Sequence, residues 1–152
     1  MRNVRFLTVM TLVIACGAKI TAASADPVSS ETAIAERQAA FRAIEQGSKQ
    51  ISRELKAGNV DWSLTSEIAG NLEKNSTNLV HLFPEGSSKG SKSKEKVWQD
   101  KSQFDRMLDD MAQGFVLLNE ATENQDPVLA QRGLKQAEST CRACHRQYRS
   151  LW

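Results

Sequence analysis

Cys141, Arg142, Ala143, Cys144 and His145 form the densest group of reactive side chains in a sequence that holds only three cysteines and two histidines. Two thiols three residues apart, followed at once by an imidazole, make a C-x-x-C-H run. Outside the cytosol this is the spacing at which a chain is attached to c-type haem. The chemistry accounts for the spacing: the two thiols add across the two haem vinyl groups as thioethers, and the histidine is then held under the iron as an axial ligand. On a helix, residues three and four apart share a face, so Cys141, Cys144 and His145 can meet one porphyrin together.

Other chemistries need more than this stretch supplies. A zinc site takes about four ligands, and the remaining candidates are His81 and Cys16. A thioredoxin-like dithiol belongs in a βαβ context, and the sequence has no convincing strand. A plain disulfide between Cys141 and Cys144 leaves His145 unexplained.

Composition bounds the rest. The chain of 152 residues is one domain's worth, long enough for a real core. Charged residues make up 25%, aromatics 6%, and there are three prolines, a balance that favours helices. The formal charge of +2 includes Arg2, Arg5 and Lys19, and residues 1–25 hold no acid, so the remainder carries −1. A near-neutral mature chain lacks the basic surface that nucleic acid would want.

The start of the chain sets the expected compartment. Met1 to Arg5 is basic, Phe6 to Ala18 is apolar but too short for a stable membrane anchor, and Ala23-Ser24-Ala25 is a small-residue cleavage site before Asp26. Residues 1–25 are therefore read as a cleaved signal peptide and residues 26–152 as the mature domain, exported in a bacterium to the periplasm. Val13-Ile14-Ala15-Cys16 also matches a loose lipoprotein box. Lipidation of Cys16 would tether the same domain to a membrane face, the one route by which a membrane becomes a partner.

Four helices are expected to position the haem run. Ser30 or Thr32 caps a first helix to about Lys56, whose stripe Ile34, Phe41, Ile44, Ser48, Ile51 and Leu55 steps by sevens, threes and fours. Gly58-Asn59 ends it, and Asp61 caps a second helix with the stripe Leu64, Ile68, Leu72, Ser76, Leu79 and Phe83, stopped by Pro84. Residues 85–96 are polar, basic and rich in Gly and Ser, which reads as a solvated crossover loop, or alternatively as a lysine patch for an anionic redox partner. A third helix is expected over about Val97 to Glu123, with Lys101, Phe104, Leu108, Met111, Phe115, Leu118 and Thr122 on one stripe. Asp126-Pro127 opens a fourth, whose stripe Leu134, Ala137, Cys141, Cys144, Tyr148 and Leu151 carries the thiols into the core. The periods and mostly short links predict an all-α, antiparallel up-down-up-down four-helix bundle around covalently bound haem c.

Several pieces in fixed order carry a family resemblance: Arg37-Gln38 on the first helix, His81-Leu82-Phe83-Pro84-Glu85-Gly86-Ser87 ending the second, Val97-Trp98 opening the third, and Cys141 to Arg149 at the end. In these pieces the mature sequence resembles cytochrome c′, the class II c-type cytochromes, itself a standing example of the bundle topology just predicted. The resemblance implies that His145 is the proximal iron ligand and that Cys141 and Cys144 carry the thioethers. It also implies that Arg37 and Gln38 lie beside the haem propionates, that Ser87 approaches the haem edge, and that Arg149 sits over the proximal imidazole. A guanidinium binds a carboxylate in a two-pronged pair, so Arg37 facing an anionic haem edge is chemically sensible.

The departure from the resemblance is on the distal side. Low-spin relatives place a methionine four residues after the first-helix arginine, and high-spin members commonly place leucine there; here it is Phe41. A phenyl ring has no lone pair for iron, so a five-coordinate, high-spin iron is expected. Met107, Met111 and His81 are weaker candidates for a sixth ligand. An open iron in an apolar pocket favours NO over O₂, which needs a distal donor, while the ring's bulk hinders CO. Electron transfer to an unidentified redox partner is the second expectation, with a dedicated low-spin carrier as its limiting form. No distal acid or base suits an enzyme such as a peroxidase, so no enzymatic activity is expected. The resemblance further implies a homodimer through the first two helices, where Val60, Trp62, Ala39, Ala40 and Ala43 offer an outer face.

Overall fold

The computed structural model describes residues 29–150. The proposed leader, Cys16 and the predicted core residue Leu151 lie outside the described residues. Five α-helices follow in order: α1 (Ser30–Ala57), α2 (Trp62–Asn78), α3 (Lys96–Gln99), α4 (Lys101–Glu123) and α5 (Pro127–Tyr148), with a 3-10 turn at Leu79–Leu82 after α2. The long helices α1, α2, α4 and α5 form the expected antiparallel four-helix bundle. The one β feature among the described residues is an isolated bridge between Ser93 and Arg149.

Local chemistry sets the helix ends. Ser29, rather than Ser30 or Thr32, caps α1, its hydroxyl accepting from the Thr32 N–H at 3.2 Å, and Gly58 ends the helix at φ 77°, a left-handed conformation that glycine adopts without penalty. Asp61 caps α2 by accepting from the Leu64 N–H at 3.1 Å. Asp126 caps α5, one carboxylate oxygen accepting from the N–H groups of Val128 and Leu129 at 2.9 and 3.0 Å, with Pro127 in the first turn.

Packing departs from the expected stripes in three places. In α1 the buried line is Ala33, Arg37, Ala40, Ile44, Ser48 and Ile51, leaving Ile34, Phe41 and Leu55 half-buried. Arg37 is drawn inward by hydrogen bonds to the turn after α2, and Ala40 thereby joins the core instead of the outer face. In α2, Leu64 is 37% exposed while Thr65 is fully buried, its hydroxyl satisfied by the Asp61 carbonyl at 2.6 Å. The single third helix is in fact two, α3 and α4, parted at Asp100 (φ −124°, ψ 43°), whose carboxylate is held by the Tyr148 hydroxyl at 3.0 Å.

α4 and α5 form the closest helix pair. A Cβ at Gly114 would stand 2.5 Å from the Ala137 nitrogen, and one at Gly133 would stand 2.6 Å from the Leu118 nitrogen. Neither distance is attainable, so glycine here permits backbone-to-backbone packing. α1 and α5 touch much less, and the space between them is lined at one end by Phe83, Phe104 and Tyr148. Phe104 packs edge-on against both other rings, with centroids 4.7 and 5.1 Å away.

Candidate functional site

The space between α1, α4 and α5 is a cavity of ≈ 640 Å³. That is within the range of about 300–1,000 Å³ usual for cofactor pockets. From α5 and the Arg149 that caps it, the cavity is lined by Cys141, Cys144, His145, Tyr148 and Arg149, and from α1 by Arg37, Gln38, Phe41, Ile44 and Ser48. α4 contributes Phe104, Leu108, Phe115 and the two methionines considered as ligands, Met107 and Met111. The helix spacing that placed both thiols and the imidazole on one face is thus realised, and that face opens on the cavity. His81 is exposed in the 3-10 turn and takes no part in the lining.

The two cysteines are free and half-buried. Burial pushes the Cys144 thiol up to about 11, with Cys141 adding to the shift, and burial followed by the charge of Glu138 raises Cys141. His145 is pushed down from its ordinary value, first by burial and then by Arg149, with Glu45 on α1 opposing. At neutral pH the site therefore holds two protonated thiols and a neutral imidazole, which has a lone pair to give a metal.

Arg37 is 3% exposed and forms a fork into the turn after α2: Nη1 donates to the Leu82 carbonyl at 3.1 Å and the Ser87 hydroxyl at 2.7 Å, and Nη2 donates to the Ser87 carbonyl at 2.5 Å. Its guanidinium carbon stands 4.7 Å from the Phe83 ring centroid. Burial lowers its pKa. Among the described residues no carboxylate pairs with it, so a buried cation lines the cavity without a counter-charge. Ser87 differs from its expected place. It is fully buried behind Arg37, donates to the Pro84 carbonyl at 2.8 Å, and reaches the cavity only through the arginine. Gln38 and Arg149 are exposed at the rim, and Phe41 is half-buried in the wall.

Sequence reasoning placed Ser48 in the apolar stripe and missed its chemistry. Six polar side chains are buried among the described residues, and of these Arg37, Thr65, Ser76, Ser87 and Thr122 all have hydrogen-bond partners. Ser48 has none among the described residues and lines the cavity. The crossover loop was also underread. Lys94 N–H donates to the Tyr148 carbonyl and Ser150 N–H to the Lys92 carbonyl, both at 2.8 Å, so the loop is strapped to the end of α5. The signal was absent from the loop's own composition, because the partners lie more than fifty residues away.

The residues present fit haem c. The two thiols and the imidazole share one face, the walls are mostly apolar, and a guanidinium without an ion-pair partner lines the cavity and could take an anionic group. No group of three or more His, Cys, Asp or Glu side chains among the described residues could hold a metal ion.

The comparisons agree with this fit. No curated protein matches the chain. Solved structures do: cytochrome c prime from Shewanella frigidimarina is 27% identical with a TM-score of 0.73, covering 80% of this chain and 97% of that one. Cytochrome c′ from Rubrivivax gelatinosus is 22% identical with the same TM-score and the same coverage. A nitric oxide complex of a leucine-to-alanine mutant of cytochrome c prime from Alcaligenes xylosoxidans is 20% identical with a TM-score of 0.74, covering 82% and 98%. The family model described as Cytochrome C' matches residues 32–149, and with that span of the described bundle the chain belongs to the cytochrome c′ family, whose members carry covalently attached haem c.

Proposed function

We propose that this is an exported, mono-haem c-type cytochrome that binds small diatomic gases, chiefly NO, at a five-coordinate iron and is able to exchange electrons. Haem c supplies an iron that changes oxidation state and accepts a ligand on an open face. Cys141 and Cys144 would hold the group covalently, His145 would give its iron a nitrogen, Arg37 would neutralise its anionic edge, and Arg149 would stand beside the imidazole.

The observation that carries the reading is Phe41 in the cavity wall on α1, with Ile44 one turn along. Neither side chain has a lone pair for iron or a hydrogen for a bound gas, so a ligand that needs no distal donor is favoured and O₂ is not. The test is Phe41→Met: a thioether in that place should convert a high-spin spectrum to a low-spin, six-coordinate one and slow NO binding. An unchanged spectrum would remove Phe41 from the iron's open face.

A dedicated electron carrier is the second reading. It is favoured by a depression of ≈ 510 Å³ on the outer side of α5 that shares Cys141, His145 and Arg149 with the cavity, bringing the attachment residues to the surface. Export to the periplasm rests on the leader-like residues 1–25. No helix among the described residues is long and apolar enough to cross a membrane. Ala39 and Ala43 exposed on α1, with Leu64 37% exposed on α2, support pairing with a second copy through that face, which sedimentation at micromolar concentration would reveal.

A further inference from the structure

The strap and the end of α5 form one charged surface. Residues 86–94 and 139–150 carry Lys89, Lys92, Lys94, Arg142, Arg146 and Arg149 and no carboxylate. All six side chains are exposed, and none forms a side-chain ion pair among the described residues. Backbone pairing holds the two segments together: Ser93 bridges Arg149, and the Lys94 ammonium donates to the Arg146 carbonyl at 2.9 Å. Glu45, the carboxylate that faces Arg149 from α1, is engaged by Lys49 at 2.6 Å. Because the sequence from residue 26 onward carries −1, the rest of the domain balances this charge, beginning with the exposed Glu85, Glu95 and Glu138 at the ends of the two segments.

We propose that this surface docks the acidic face of a one-electron carrier protein, with the depression lined by Arg142, Arg146 and Arg149 on its α5 side. The proposal rests on reading the cavity as a redox-active haem site. Two features select a protein partner. The charges come from two chain segments, Arg142, Arg146 and Arg149 lining the depression and Lys89, Lys92 and Lys94 on the strap paired to the end of α5, so they match an extended acidic patch better than a single small anion. Arg142 and Arg146 lie one turn apart on α5, where their planar forks can each take a carboxylate side-on. Complementary charge of this kind steers encounter and sets register.

The test uses haem-loaded protein and an acidic [2Fe–2S] ferredoxin as the probe, titrated calorimetrically. Binding should be measurable at low salt and weaken about tenfold or more by ~0.15 M ionic strength. Arg142→Glu with Arg146→Glu should weaken it at least about tenfold at low salt. Arg132→Glu with Lys135→Glu, exposed on α5 outside the patch, should leave it unchanged. Equal ferredoxin binding by both double variants, salt-independent binding, or retention on phosphatidylglycerol vesicles without ferredoxin binding would overturn the proposal. The NO-induced spectral shift, read on the same samples, separates the two readings: its absence with docking intact rejects gas binding alone, and its presence without docking rejects the docking surface alone.

Discussion

Arg37 donates to both the hydroxyl and the carbonyl of Ser87, fifty residues along the chain, at 2.7 and 2.5 Å. One buried guanidinium thereby ties the first helix to the turn that ends the second and presents its remaining surface to the cavity. The bond is a structural tie and a site device at once, because the turn cannot shift without moving the cation that lines the cavity.

Arg37→Lys should therefore be costly despite conserving the charge. An ammonium cannot reach two carbonyls and a hydroxyl in a fixed fork, and each buried group left unpaired costs about 1–3 kcal/mol. Urea unfolding of the haem-loaded protein should show a loss of that order. An unchanged midpoint would mean that water replaces the fork without penalty.

Tyr148 is the only tyrosine of the chain, so its ionisation can be read directly in the ultraviolet. Burial first, then the hydrogen bond and charge of Asp100, raise its pKa above the ordinary 10.0. Because the folded state holds this proton more tightly than the unfolded state, the contribution to stability is complete below pH 10 and is lost as pH rises through the folded value. Asp100→Asn should bring the midpoint down towards 10, and a midpoint already at 10 in the parent would contradict the Tyr148–Asp100 bond.

The glycines of the bundle should separate into two kinds. Gly133→Ala drives a Cβ to 2.6 Å from the Leu118 backbone and should destabilise by about 2 kcal/mol or more as α4 and α5 are forced apart. Gly70→Ala, in the middle of α2 with its nearest contact 3.9 Å away, should stabilise by about 0.5–1 kcal/mol through helix propensity. Thermal melts that rank them the other way would contradict the close α4–α5 crossing.

What the sequence made legible was local. Asp61, Asp126 and Pro127 announce helix starts because a cap is satisfied within three residues, and Cys141, Cys144 and His145 announce a cofactor because thioether and ligand chemistry fit one helical turn. The features that stayed hidden are non-local. Nothing near Asp100 marks a break in a helical pattern, since the break is stabilised by Tyr148 from another helix. The fork from Arg37 to Ser87 and the strap from Lys92 and Lys94 to α5 join segments that share no periodicity. Leu64 and Thr65 exchange their expected faces because a threonine hydroxyl can bond its own helix, a freedom that a pattern of apolar residues does not record.

The most direct test of the account is the visible spectrum of the haem-loaded mature protein, oxidised and dithionite-reduced, before and after adding NO. The account predicts high-spin bands in both oxidation states and a clear shift when NO is added, as expected of an iron held by His145 alone with Phe41 over its open side. Low-spin bands indifferent to NO would contradict it, and would assign the sixth position to a protein donor such as Met107 or Met111.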